Sequence, residues 1–138
     1  VRPFRFIEHT GDLSVLVRGE TPIALFANAA DALFAVLTDR RRIRGRVCRE
    51  IAVEAPGLEA LLVGWLTEFL YLFDTEGMLF RRFALGQLDD GRLEALAWGE
   101  PMDEERHLIK TPIKAVTFHQ LRIRSVSMGW QARVVFDV

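Results

Sequence analysis

The chain has 138 residues, 50% hydrophobic and 27% charged, which excludes a disordered polypeptide. That length fits one domain, 1–138, able to bury roughly two-thirds of the surface its unfolded form exposes without disulfides. The formal charge of −1 argues against a strongly basic nucleic-acid coat, although it leaves room for a local patch.

Cys48 is the single cysteine, so an internal disulfide and a multi-cysteine metal centre are excluded, and a reducing, cytoplasmic setting is expected. The longest apolar run, Leu58–Phe73, is interrupted by Glu59, Gly64, Thr67 and Glu68, and no membrane span or membrane partner is expected. The opening Val1–Phe6 carries Arg2, Pro3 and Arg5 and does not read as a signal peptide.

Phe4, Phe6 and Glu8 alternate with Arg5 and Ile7 as a first strand, followed by a polar turn His9-Thr10-Gly11-Asp12. Leu13, Val15 and Val17 continue a second strand to Arg18. Thr21-Pro22 is an N-cap with proline at the first helical position, and Ile23, Phe26, Ala30, Leu33, Phe34 and Leu37 then form one apolar helix face. Asp39–Arg46 reads as a loop and Val47–Val53 as a strand, broken at Pro56-Gly57. A second helix from Leu58 to about Phe73 is apolar on most of its circumference, as a central core helix would be. Strands at about Leu79–Leu88 and Leu93–Gly99 flank the hairpin signal Asp89-Asp90-Gly91, and Glu100–Thr111 is a charged connection. Ile113–Val126 and Trp130–Phe136 close the chain as a hairpin around Met128-Gly129. The pattern predicts an α+β fold in which two helices pack on a largely antiparallel, multi-stranded sheet built from hairpins.

Three groups could carry chemistry. Glu8, His9 and Asp12 surround one turn; Glu100, Asp103, Glu104, Glu105, Arg106 and His107 occupy one stretch; and alternation puts Gln131, Arg133, Val135 and Asp137 on one strand face beside the terminal carboxylate of Val138. Carboxylates brought together repel, and a divalent cation stabilises their charged form; hard oxygen ligands favour calcium, magnesium or manganese over zinc. The plainer reading is that such acids cap turns or stay solvated, and it holds for any one of them taken singly. The run Arg40, Arg41, Arg42, Arg44, Arg46 could grip phosphates. A solvated loop after a helix C-terminus accounts for it better, since no aromatic residues interleave it. Lys114, heading the apolar Ile113–Val116, is either an edge-strand gatekeeper or a compact charge offered to a partner. Cys48 reads as a structural strand residue, and no P-loop, Gly-x-Gly-x-x-Gly, Gly-x-Ser-x-Gly or His-Glu-x-x-His motif occurs.

His9-Thr10-Gly11-Asp12 resembles the His-Thr-Ala-Asp turn of the archease family, and Trp65–Phe73 is similar to that family's central Trp-Leu-Asn-Glu-Leu-Leu-Tyr helix. Gly99-Glu100, Asp103, Arg106-His107, Ile113–His119 and the Asp137 ending resemble its later motifs, with Phe118 where Tyr is common and Gln120 where Gly is frequent. The resemblance implies a small accessory protein, not an enzyme, that promotes guanylylation and multiple turnover of an RtcB-type RNA-splicing ligase. It implies a divalent ion, calcium first, held by Asp12, Asp137 and Val138. It associates Lys114 with action on the ligase, and makes His9, Glu100, Asp103, Arg106, His107 and His119 candidate supporting residues. Two alternatives remain: a chaperone-like modulator of a tRNA methyltransferase, and a metal-dependent phosphoesterase with His107 or His119 as its base. Direct contact with RNA is left open.

Overall fold

The computed structural model describes residues 2–9 and 12–138, with the side chains of Glu8 and His9 outside that description. Among these residues, eight strands and two α-helices follow in the order β1 (Phe4–His9), β2 (Asp12–Gly19), α1 (Pro22–Leu37), β3 (Val47–Glu54), α2 (Leu58–Glu76), β4 (Met78–Leu88), β5 (Arg92–Pro101), β6 (Ala115–Thr117), β7 (Ile123–Val126) and β8 (Gly129–Asp137). Every strand pairing is antiparallel, as expected for an α+β fold built on hairpins. The strands divide between two sheets. In one, β8 lies between β2 and the short strands β6 and β7, with β1 outside β2; in the other, β5 is central between β3 and β4.

Local chemistry explains the helices. The Thr21 hydroxyl accepts the Ala24 N–H at 3.1 Å, which caps α1 where Pro22 has no N–H to satisfy. The helix ends at Thr38, whose N–H donates to Phe34 O and whose hydroxyl donates to Leu108 O at 2.7 Å. Lys110 N–H donates to Leu37 O, so the connection after β5 satisfies carbonyls that the end of α1 leaves open. α2 runs past the expected stop near Phe73 to Glu76. Its stop is Gly77, at φ 66°, whose N–H closes back on Leu72 and Phe73 carbonyls.

Three further boundaries differ from expectation. Ile113–Val126 is not one strand: Phe118–Arg122 leaves the sheet through Gln120 at φ 56°, and β6 and β7 pair with different parts of β8. Glu100 lies within β5, opposite Leu79, and not in the connection. The Asp39–Arg46 loop contains a turn of 3₁₀ helix at Arg40–Arg42, started by Asp39 accepting the Arg41 N–H. The turn residues Thr10 and Gly11 lie outside the described residues.

One apolar cluster joins both sheets and both helices. Phe34 of α1 meets Phe69 of α2 and Phe80 of β4 at ring-centroid distances of 5.7 and 6.0 Å, and Trp65 meets Phe69 at 4.6 Å edge-on. The Trp65 indole N–H donates to Phe26 O at 2.9 Å, so the largest buried ring ties α2 to α1 without an orphaned donor. α2 is therefore the core helix its composition predicts. Among the described residues no helix is long and apolar enough to cross a membrane.

Candidate functional site

The register of the larger sheet brings together residues far apart in sequence. Asp12, which opens β2, stands directly opposite Asp137, which closes β8. On the other edge of β8, Ala115 stands opposite Asp137, and the Lys114 N–H donates to Asp137 O at 2.7 Å. Three of the expected site residues, Asp12, Asp137 and Lys114, thus gather at one end of three adjacent strands, with Val138 next along the chain. His9 pairs with Asp12 through the β1–β2 register, but its side chain lies outside the described residues. Lys114 is exposed and heads β6 on an edge of the sheet, where a lysine also discourages edge-to-edge pairing.

Asp12 lines a cavity of about 420 Å³ with Ser14, His119, Gln120, Arg133 and Val135. The alternation expected for Arg133, Val135 and Asp137 is realised, while the Phe118–Arg122 excursion delivers His119 and Gln120. Ser14, buried, was not anticipated; a serine two residues along an otherwise apolar strand from Asp12 is the signal that points to it. His119 is exposed, and its N–H donates to the Thr117 hydroxyl at 3.2 Å.

The donor set suits a hard divalent cation. Like charges directly opposite on an antiparallel pair destabilise it, and an ion between them would relieve that repulsion. No three His, Cys, Asp or Glu side chains among the described residues stand together as a metal cluster. An ion here would therefore need main-chain oxygens and water beside the two carboxylates.

The second expected group is a separate constellation at the end of β5. Glu100 is almost fully buried, and its carboxylate accepts the Arg44 N–H at 2.7 Å, an Arg106 guanidinium N–H at 2.5 Å and the His107 ring N–H at 3.1 Å. The Asp103 N–H donates to His107 Nδ1 at 2.9 Å, which puts the ring proton on Nε2, facing Glu100 and Arg42 O. Burial works to raise the Glu100 pKa, but the Arg44 N–H, the Arg106 guanidinium and His107 together outweigh it and hold the carboxyl below its ordinary value. Asp103 further accepts the Glu105 N–H and lies 3.6 Å from Arg106. These four residues fasten the connection after β5 to the Arg40–Arg46 segment.

That basic segment is largely committed to structure. Arg40 pairs with Asp31 at 2.9 Å and lies over the Phe4 ring, and Arg42 Nε donates to Arg106 O at 2.8 Å. Hydrogen bonds from Arg41 hold the Asp39 carboxyl down at about 2. The run expected as a solvated loop is thus partly engaged, with several of its arginines working as pins. Cys48 is exposed on β3.

Comparison with known proteins fits this geometry. The archease protein family model matches residues 4–138. The protein archease of Methanosarcina mazei is 40% identical, aligned over 99% of this chain and 97% of its own length. The solution structure of Methanobacterium thermoautotrophicum protein 1598 superposes with a TM-score of 0.82 at 32% identity, covering 99% of both chains. The crystal structure of a Thermotoga maritima archease, described as a possible chaperone, superposes at 0.65 with 16% identity over 96% of this chain and 94% of that one, a likeness of fold. With its family model matched from β1 to the last residue, this chain belongs to the archease family.

Proposed function

We propose that this protein is an accessory factor that activates an RtcB-type RNA-splicing ligase, promoting its guanylylation and repeated turnover, and that it does no chemistry alone. The observation that carries the reading is the β2–β8–β6 register, which assembles Asp12, Asp137 and Lys114 at one exposed sheet end. Asp12, Asp137 and a main-chain oxygen of Val138 would hold a divalent cation, calcium before magnesium or manganese. Bound there, such an ion supplies a positive centre able to polarise phosphate oxygens. Two side-chain carboxylates leave most of a calcium coordination shell to water or to a partner's groups, so the site is suited to sharing its ion across an interface. The strand pairing sets the backbones of Asp12 and Asp137 side by side, and the Lys114 main-chain bond to Asp137 brings that residue's backbone next to theirs.

The test is multiple-turnover RNA ligation by the ligase from the same organism, with wild-type protein and with the Asp12→Ala and Lys114→Ala variants. Stimulation by the wild type that both variants lose is the expected result. Stimulation kept in both would discard the mechanism, and no stimulation by the wild type would transfer the accessory role to another client such as a tRNA methyltransferase. Phosphate release by the protein alone, abolished in Asp137→Ala, would make it a phosphoesterase.

A further inference from the structure

At the end of the larger sheet where β2 stops and β8 begins, three backbones meet with no room for side chains. A Cβ on Gly129 would stand 2.4 Å from Gly19 O, and one on Gly19 would stand 2.3 Å from Leu25 N in the first turn of α1. Side chains from both faces of the sheet reach around this end. Arg18 and Gln131 come from the face turned away from the helices and Trp130 from the helix-covered one. With Asn28 of α1 they line one cavity of about 540 Å³, within the roughly 300 to 1,000 Å³ usual for small-ligand sites. None of the residues assigned above to the Asp12–Asp137 end or to the Glu100 ring lines it.

The cavity has two kinds of wall. Pro3, Ala24, Met128 and Trp130 supply apolar surface; Met128 is 80% exposed and Trp130 half-buried. Arg2 and Arg18 are its cations and Glu20 its one carboxylate, and the N-terminal end of α1 adds the positive pole of its dipole. Arg18 is held in place from two sides. Its Nε donates to Gln131 Oε1 at 3.0 Å, and its main-chain O accepts the Asn28 side-chain N–H at 2.7 Å. Among the described residues these bonds leave the terminal nitrogens of Arg18 and Gln131 Nε2 as donors, and Asn28 Oδ1 as an acceptor.

We infer that this cavity binds the C-terminal residues of a partner protein whose last side chain is apolar. The chain-end carboxylate pairs with the Arg18 guanidinium, and the last side chain lies against Met128 and Trp130. The amides of Asn28 and Gln131 take the N–H and C=O of the preceding peptide group. Charge selects a monoanion: two guanidinium groups against one carboxylate balance one negative charge, not the several of a nucleotide or a polynucleotide segment. The paired donor and acceptor amides select a peptide over a plain hydrocarbon acid, which has no peptide group to satisfy them. Met128, unbranched and polarizable, adapts to side chains of different shape. This goes beyond the ligase reading and does not depend on it.

The test uses the purified protein and fluorescein-labelled pentapeptides ending in Ser-Leu, Ser-Phe and Ser-Val, each as free acid and as C-terminal amide, read by anisotropy. At least one free acid should bind with a Kd below about 1 mM, and its amide at least about tenfold more weakly for want of the charge-assisted bond. Arg18→Met should weaken that free acid about tenfold and its amide far less. Glu20→Gln should tighten the free acid by roughly two- to threefold, a gain that misfolding cannot imitate. Arg41→Ala should bind as wild type does. No free acid bound at about 1 mM, equal binding of acid and amide, or an Arg18→Met variant that binds the acid undiminished would overturn the inference. Displacement of the peptide by equimolar octanoate would overturn it in favour of a free hydrocarbon acid, and displacement by equimolar adenosine monophosphate in favour of a nucleotide. None of these failures would touch ligase stimulation, which is measured separately.

Discussion

Glu100 and His107 meet inside the protein, His107 Nε2 lying 3.1 Å from Glu100 Oε2 with both side chains almost wholly withdrawn from water. The pair closes a ring in which β5 supplies the carboxylate, the connection after it supplies Arg106 and His107, and the segment after α1 supplies the Arg44 N–H. Removing the carboxylate leaves a guanidinium, a main-chain donor and an imidazole facing one another. Glu100→Ala should therefore cost about 3–5 kcal/mol, the range for breaking a buried pair from one side. Glu100→Gln should cost less, because its amide oxygen can still accept the Arg44 N–H. Chemical unfolding of the three proteins checks the order; equal midpoints for wild type and Glu100→Ala would show that the ring holds nothing.

The same carboxylate predicts an acid limb of stability. Its pKa is held below the ordinary 4.5 in the folded protein. Its contribution is therefore complete above that value, where both folded and unfolded carboxyls are ionised, and is lost as pH falls through the folded value. Asp39, brought from 3.8 to about 2 first of all by hydrogen bonds from Arg41, acts in the same direction, but it is exposed and salt should screen it. Asp31, raised by burial, acts oppositely. Denaturant midpoints measured from pH 6 to pH 3 at about 0.5 M salt should thus fall for wild type and fall less steeply for Glu100→Gln. Parallel curves would assign the acid limb elsewhere.

Much of this fold is legible in the chain. Thr21-Pro22 and the apolar spacing after it locate α1, Asp89-Asp90-Gly91 locates the β4–β5 hairpin, and alternation from Trp130 places Gln131, Arg133, Val135 and Asp137 on one face. Non-local pairing is what stays hidden. Nothing local says that β8 slots between β2 and β6, so from the sequence only family resemblance implies that Asp12 meets Asp137, and the register is what puts them opposite. Charge runs misled in the same way. The contiguous arginines at 40–46 draw the eye and are mostly engaged, whereas Arg5, Arg18, Arg122 and Arg124 are scattered in sequence and converge only through strand pairing. Glu100 reads from the sequence as the start of a charged connection, because the groups that bond it in the interior come from 44, 106 and 107.

Gly99 makes a sharp test of how closely β4 and β5 pack. A Cβ there would stand 1.8 Å from Leu79 O and 2.7 Å from Phe80 Cα, both backbone atoms at an irregularity in the pairing. Gly86, on β4 of the same sheet, would meet only Glu94 O at 3.9 Å. Gly99→Ala should displace the strand end that carries Glu100 and cost at least about 2–3 kcal/mol. Gly86→Ala should be neutral or gain up to about 1 kcal/mol from the stiffer unfolded chain. Thermal melts of the two variants read the difference directly, and matched melting temperatures would mean the strands can separate at Gly99 without penalty.

Asp12 and Asp137 supply the last prediction, because two opposed carboxylates should behave in opposite ways with and without an ion. In chelated buffer at neutral pH the pair is a repulsion across β2 and β8. Asp12→Asn and Asp137→Asn should each melt slightly higher than wild type there, by the equivalent of about 0.2–1 kcal/mol for a like-charge cross-strand pair. Adding calcium should reverse the order: wild type gains RT ln(1 + [L]/Kd) from an ion bound only in the folded state, about 2.7 kcal/mol at a hundredfold excess over Kd. The amide variants, each short of one anionic ligand, should gain far less. Magnesium and manganese titrations rank the metals on the same scale. A wild-type melting temperature that none of the three ions moves would remove the cation from the mechanism. Amide variants that melt lower than wild type in chelator would show instead that hydrogen bonds already stabilise the carboxylates, leaving no repulsion for an ion to relieve.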